Sequence, residues 1–220
     1  MTTEQQTGAA GDEPAAPVVV PSAVVPSAAA RAPRASQDGG GPVHGLGPEW
    51  ERGADGLRFR RAARVILLDE ADRVLLIRGH DADQPERSWW FTIGGGIDAG
   101  ESPLQAAIRE VREEAGIALV ADEVVGPVFT RSAIFDFYYE RCRQDEEIFL
   151  ARVPSSSFTS EDRAGWTDLE RDVIDELRWW ALPDLATVGI EVFPEGLVNL
   201  VASVAAGWDG ETRHLGLALE

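Results

Sequence analysis

From Gly95 to Ile117 the chain reads GGIDAGESPLQAAIREVREEAGI, a glycine loop running into the clearest helix of the sequence. Ser102 carries an N-cap side chain, Pro103 suits the first helical position, and Gln105 is placed to close a capping box. Gly116 supplies the left-handed residue that ends the helix. Leu104, Ala107, Ile108, Val111 and Ala115 follow helical spacing, and this apolar stripe predicts packing against a sheet. Glu110, Glu113 and Glu114 stand three and four residues apart and share another face. Carboxylates so placed repel by about 0.2–0.5 kcal/mol per pair. A hard divalent cation held by oxygen ligands turns that repulsion into binding, and an oxygen-only donor set favours Mg²⁺ or Mn²⁺ over zinc. The plain alternative is a solvated acidic face with Arg109 and Glu113 as an ordinary i,i+4 pair, which is what most such clusters are.

The spacing decides between these readings. Gly95 is followed after five residues by Glu101 and after seven more by Arg109-Glu110-Val111-Arg112-Glu113-Glu114-Ala115-Gly116-Ile117. Seven fixed residue types, each near 7% in abundance, coincide by chance about once in 100 million starting positions, so the solvated face gives way. The pattern resembles the Nudix box.

That resemblance implies an α/β fold, an α/β/α sandwich with a mixed β-sheet and a loop-helix-loop metal site. Glu113 and Glu114 match the usual metal ligands and Glu110 a further ligand or base. Arg109 matches the arginine that orients those glutamates, Glu101 a position that supports the metal shell, and Gly95 one whose carbonyl joins the coordination. The implied activity is a Mg²⁺-dependent pyrophosphohydrolase, with Mn²⁺ as substitute, that splits the diphosphate link of a nucleoside diphosphate joined to another group by attack of water on phosphorus. A carboxylate takes the proton, with Glu110, Glu146, Glu147 and Glu176 all open as that base. Ile93 stands where many members carry proline, and Arg131 and Ser132 stand about where ADP-ribose cleavers tend to show proline. The substrate is therefore left open among nucleotide sugars, ADP-ribose-like compounds and nucleoside triphosphates. The alternative from another class is a non-catalytic nucleotide-sensing or regulatory module on the same fold, whose sequence signature would be loss of the paired glutamates.

Outward from the box, Arg64–Leu68 and Arg73–Arg78 are β-rich runs separated by Asp69-Glu-Ala-Asp72, which predicts a hairpin. Trp89–Ile93 reads as a strand entering the glycines. Downstream, Val128–Tyr139, Glu147–Val153 and Leu177–Ala181 read as strands, with a loop over Arg143–Glu146, and Pro194–Ala206 as a closing helix. Arg58, Arg60, Arg61, Arg64 and Arg78 are candidates for phosphate contact, since guanidinium forks match that anion. The aromatic residues between Trp89 and Phe91 and between Phe135 and Tyr139 are candidates for stacking a base, Trp90 and Phe135 foremost, although such residues more often build core. Glu147 is a further candidate for substrate contact. His44, His80 and His214 show no ligand spacing and receive no role.

Residues 1–55 are rich in Ala, Pro, Gly and Ser without helical or strand period, and they are expected to be disordered. The folded domain is expected over 56–208, with a tail over 209–220. The 38 acidic residues against 20 basic ones, all of the latter arginine, give a net charge of -18, which argues against nucleic acid or an anionic membrane as partner. A small phosphorylated substrate stays compatible, given placed arginines or a cation. The single cysteine, Cys142, excludes an internal disulfide and a cysteine-based metal site, and no stretch has the length of an apolar membrane span. A cytoplasmic location follows as the expectation, and a homodimer is left open.

Overall fold

The computed structural model describes residues 46, 49–81, 84–137, 140–158, 166 and 168–220. The expected disorder of the first 55 residues falls mostly outside this range, as do His44, Tyr138 and Tyr139.

β2 (Arg58–Leu68) sets the architecture, because its last four residues, Val65 to Leu68, are all apolar and buried. A strand of that kind must be covered on both faces. Ala63, Val65 and Leu67 pack into one core with Val111 and Ala115, while Ile66 and Leu68 pack into a second core with Leu197, Val201 and Val204. The helix carrying the first set is α1 (Pro103–Ala115); the second set belongs to α4 (Leu197–Val204). The sheet between them places the fold in the α/β class as an α/β/α sandwich.

The other strands are β1 (Glu51–Arg52), β3 (Val74–His80), β4 (Ser88–Gly96), β5 (Val124–Phe137), β6 (Glu140–Arg152), β7 (Ile174–Trp180), β8 (Glu191–Phe193) and β9 (Arg213–Leu219). Two short helices, α2 (Asp168–Val173) and α3 (Leu182–Leu185), flank β7. The sheet runs β7-β3-β4-β2-β6-β5-β9, with β1 added to β2 and β8 to β4. β2 with β6, β4 with β8 and β5 with β9 are parallel, and the other pairings are antiparallel, so the sheet is mixed.

Several expectations change. The turn at 69–72 forms, with the Asp69 carboxylate accepting from the backbone of Ala71 and Arg73 at 2.9 Å each. The hairpin does not, because β2 and β3 pair only at Leu68 with Val74 and β4 lies between them for the rest of their length. Arg143–Glu146 is strand rather than loop: within it, Gln144 and Glu146 stay buried in β6 because arginines on neighbouring strands pair with them. The expected tail contains β9, bonded in parallel register to β5 from Phe129 with Arg213 to Ile134 with Leu219. At the front, Glu51 and Arg52 pair with Phe59 and Arg58, and Trp50 is buried, so ordered structure starts before residue 56.

Candidate active site

α1 is fixed at both ends as its sequence dictates. The Ser102 hydroxyl accepts from the Gln105 N–H at 3.3 Å, the Gln105 side chain accepts from the Ser102 N–H at 2.9 Å, and Gly116 adopts φ 68°. Trp166, buried in the first core, donates its indole N–H to the Glu114 carbonyl at 3.2 Å. The last turns of α1 are thereby locked against the sheet.

This places Glu110 and Glu114, one turn apart, under the glycine loop rather than in solvent; both are buried. The loop itself is shaped for them. Gly94 takes φ +135°, and its N–H donates to Glu114 Oε2 at 2.8 Å. At Gly95 a Cβ would stand 2.7 Å from Glu110 Oε1, so only glycine leaves room for the carboxylate. Glu170, on α2, completes a group with Glu110 and Glu114 in which one oxygen of each lies within 4.8 Å of the others.

Arg109 organises the opposite side of this group. Its guanidinium clamps Glu101 through Nε and Nη2, both at 3.0 Å, reaches Glu110 at 2.8 Å and Glu113 at 2.9 Å, and donates to the Gly96 carbonyl at 2.8 Å. Burial pushes the Glu110 carboxyl up to about 7 despite Arg109 beside it. Glu114 is raised well above the usual carboxylate range by burial, with Glu110 and Glu170 adding to the rise. Clustered buried carboxylates raised in this way gain from a bound cation, and an all-carboxylate donor set suits a hard ion. The residues present therefore fit a divalent cation. Glu110, Glu114 and Glu170 are the groups that could hold it, while Glu113, with its side chain 42% exposed, turns toward Arg109.

These groups line one cavity of about 490 Å³. The other candidates divide sharply around it. Phe135, Arg60, Arg64 and Arg131 line the cavity. Arg64 is bound there to Glu146 at 2.6 Å and to the carbonyls of Thr92 and Gly94 at 2.9 and 3.1 Å. Trp90 does not reach the cavity: it is core, packed edge-on against Trp180 with centroids 5.1 Å apart. Arg78 faces Asp175 at 3.4 Å and Glu176 at 3.7 Å across β3 and β7, away from the cavity wall, which removes Glu176 as a base near the cluster. Glu147 points the other way on β6 and pairs with Arg61 at 2.8 Å. Glu146 does line the cavity, and although burial alone would raise it, Arg64 and Arg131 hold its carboxyl at about 2. A carboxylate bound that tightly is a poor proton acceptor.

Sequence reasoning missed Glu170, which lies 56 residues beyond Glu114 and carries no spacing signal toward the box. It also missed Trp50, Gln144 and Glu220 in the cavity wall. His80, given no role, lies in that wall too, with Nδ1 3.0 Å from Asp175.

Residues 58–198, more than half of the chain, match the model of the NUDIX domain family. An uncharacterised Nudix hydrolase of Bacillus subtilis, YvcI, is 41% identical over 72 residues, which are 33% of this chain and 41% of that protein. An RNA pyrophosphohydrolase of Dinoroseobacter shibae is 38% identical over 69 residues, 31% of this chain and 41% of its own length. The matches to these two relatives thus span about two fifths of their length. Among solved structures, the dihydroneopterin triphosphate pyrophosphohydrolase of E. coli is 20% identical with a TM-score of 0.44, covering 66% of this chain and 95% of that one. The family match spans the glycine loop, α1 and the cluster of Glu110, Glu114 and Glu170, and the chain belongs to the NUDIX domain family.

Proposed function

We propose that this protein is a divalent-metal-dependent hydrolase that cleaves the diphosphate linkage of a nucleoside diphosphate joined to another group. The observation that carries this reading is the cluster of Glu110 and Glu114, both buried, with the half-buried Glu170, beneath the glycine loop and open to a cavity of about 490 Å³. Relatives named as RNA pyrophosphohydrolase and dihydroneopterin triphosphate diphosphatase support the reaction class. Glu110, Glu114 and Glu170 would hold the cation, the Gly95 carbonyl remains a candidate to join them, and Mg²⁺ is the proposed ion with Mn²⁺ as substitute. Bound there, the cation would supply Lewis acidity toward phosphoryl oxygens and screen their charge from the glutamates.

The chain's own residues do the rest. Arg109 fixes the rotamers of Glu110 and Glu113 and ties them to the Gly96 carbonyl, so loop and helix move as one unit. Glu110 is the candidate base and can take a proton from the attacking water on a carboxylate oxygen that the cation leaves free; burial raises this carboxyl to about 7 in the metal-free protein, and a bound cation would lower it. Phe135 and the arginines that line the cavity would meet the substrate's remaining parts. Glu113 acts through Arg109 as a positioning residue, and its i,i+4 pair keeps the guanidinium turned toward the loop. Cytoplasmic location and action on a small molecule complete the reading.

The test is phosphate release, coupled through a phosphatase, from a panel of ADP-ribose, sugar nucleotides, dinucleoside polyphosphates and nucleoside triphosphates with Mg²⁺ or Mn²⁺. Metal-dependent turnover of one class, lost in a folded Glu110→Gln, Glu114→Gln double variant, is the expected result. Undiminished turnover in that variant sinks the assignment, and ligand-induced stabilisation without turnover of any class favours a sensor.

A further inference from the structure

Beyond the carboxylates, the cavity extends over the sheet to a wing formed by β2, β6, β5 and the end of β9. Three arginines face it, Arg60, Arg64 and Arg131, around one fully enclosed carboxylate, Glu146. Arg64 is committed to Glu146 and to the carbonyls of Thr92 and Gly94. Arg131 donates from Nε to the same Glu146 and from Nη1 to Glu220. Arg60, lying 4.2 Å over the Trp50 ring, donates from Nε to Gln144 at 2.5 Å and faces Glu49 with Nη1 at 3.3 Å.

The partners of Arg60 and Arg131 are thus of two kinds. Gln144 and Glu146 are locked in the sheet, with Glu146 only 1% exposed at its side chain. Glu49 and Glu220 come from outside the family-matched residues 58–198; Glu49 is 26% exposed and weakly bound, while Glu220, 10% exposed, pairs closely with Arg131 at the cavity wall. Set Glu49 and Glu220 aside, and three guanidiniums surround one carboxylate, an excess of two positive charges. A terminal phosphate carries about -1.5 to -2 at neutral pH, and the guanidinium fork matches its oxygens. One such group can therefore replace both carboxylates with little change in local charge. Burial and the neighbouring Arg64 pull the Arg60 pKa below its usual value, while Glu49, Glu110 and Glu146 pull the other way.

We propose that Arg60 and Arg131 form a second anion subsite, for a phosphate group of the substrate beyond the diphosphate under attack, and that Glu49 and Glu220 occupy it as stand-ins in the free protein. The inference rests on the reading that this cavity binds a diphosphate. It narrows the substrate to compounds carrying a further phosphate, such as a triphosphate or a diphosphate phosphorylated elsewhere.

Calorimetric titration of the full chain with inorganic pyrophosphate and with inorganic tripolyphosphate, both in Mg²⁺, tests it. The unaltered protein is expected to prefer tripolyphosphate by about tenfold, the effect of roughly one charge-assisted contact. Glu220→Gln removes a competing anion and should widen that preference by about fivefold, roughly 1 kcal/mol. Arg131→Met should bring the two affinities together. Should Arg131→Met fail to fold, Glu220→Gln alone decides, since it leaves Arg131 on Glu146. An unchanged or narrowed preference in Glu220→Gln overturns the subsite while leaving the diphosphate site standing. Binding of neither polyphosphate to the unaltered protein removes the hydrolase reading and the subsite together.

Discussion

At the scale of single residues, the site depends on groups whose neighbours leave them no alternative. Gly94 holds φ +135°, and a Cβ there would meet the Ala63 carbonyl oxygen at 2.2 Å. Gly94→Ala should lower unfolding free energy by about 3 kcal/mol or more in urea denaturation, since backbone strain of about 1–3 kcal/mol adds to a clash that no side-chain rotation relieves. Gly95→Ala meets a side chain instead, the Glu110 carboxylate at 2.7–2.9 Å. The account predicts that this variant stays folded and loses turnover by about 100-fold or more, which is roughly 3 kcal/mol of barrier. Steady-state kinetics beside a circular-dichroism melt separate the two effects. The carboxylates on α1 were legible because helical periodicity and a fixed spacing write them into consecutive sequence. Glu170 was not, because it reaches the cluster through tertiary folding and no local pattern marks it.

At the scale of elements, β6 shows how polar sequence misleads. Arg143-Gln-Asp-Glu146 reads as a loop, yet Gln144 and Glu146 are among the most buried polar residues. Glu146 accepts from Gln144 and from arginines on both flanking strands, so its charge is matched across the sheet rather than along it. Strand pairing supplies such partners, and sequence reading has no access to them before the order of strands is known. The same blindness made a hairpin of β2 and β3, whose turn was legible while the insertion of β4 between them was not. Glu146→Ala leaves Arg64 and Arg131 buried without their shared anion, and should destabilise by about 3–5 kcal/mol. A β6 held instead by backbone pairing alone would show a loss below about 1 kcal/mol in the same denaturation experiment. β1 makes a related point: Trp50 was read as part of a disordered stretch, yet it is only 4% exposed, packed beneath Arg60 and edge-on to Phe135. Trp50→Ala should cost about 3–5 kcal/mol, as for other large core aromatics.

For the whole molecule, an acidic chain of net charge -18 concentrates buried carboxylates at its cavity, so stability, pH and metal are linked. Glu110 has its pKa raised from 4.5 to about 7 in the folded state. Its contribution therefore favours folding below the unfolded value and is lost as pH rises through about 7. A cation that binds the ionised cluster offsets this loss. Mg²⁺ should accordingly raise the melting temperature more at pH 8 than at pH 6 in a fluorimetric melt, and an equal rise at both values would count against ionised Glu110 as a ligand. The capped helix was foreseeable from periodicity and its cap residues, and the sandwich with its mixed sheet from the resemblance to the Nudix box. The added strand β9, whose Leu215, Leu217 and Leu219 stay exposed, was not, because edge pairing rather than burial holds it.

The central claim is that Glu110, Glu114 and Glu170 together hold a divalent cation, and titration of Mn²⁺ by electron paramagnetic resonance tests it most directly. The account predicts one tight site in the unaltered protein, at least about tenfold weaker in Glu170→Gln and absent in the Glu110→Gln, Glu114→Gln double variant. A tight site that persists unchanged in a folded double variant would contradict it.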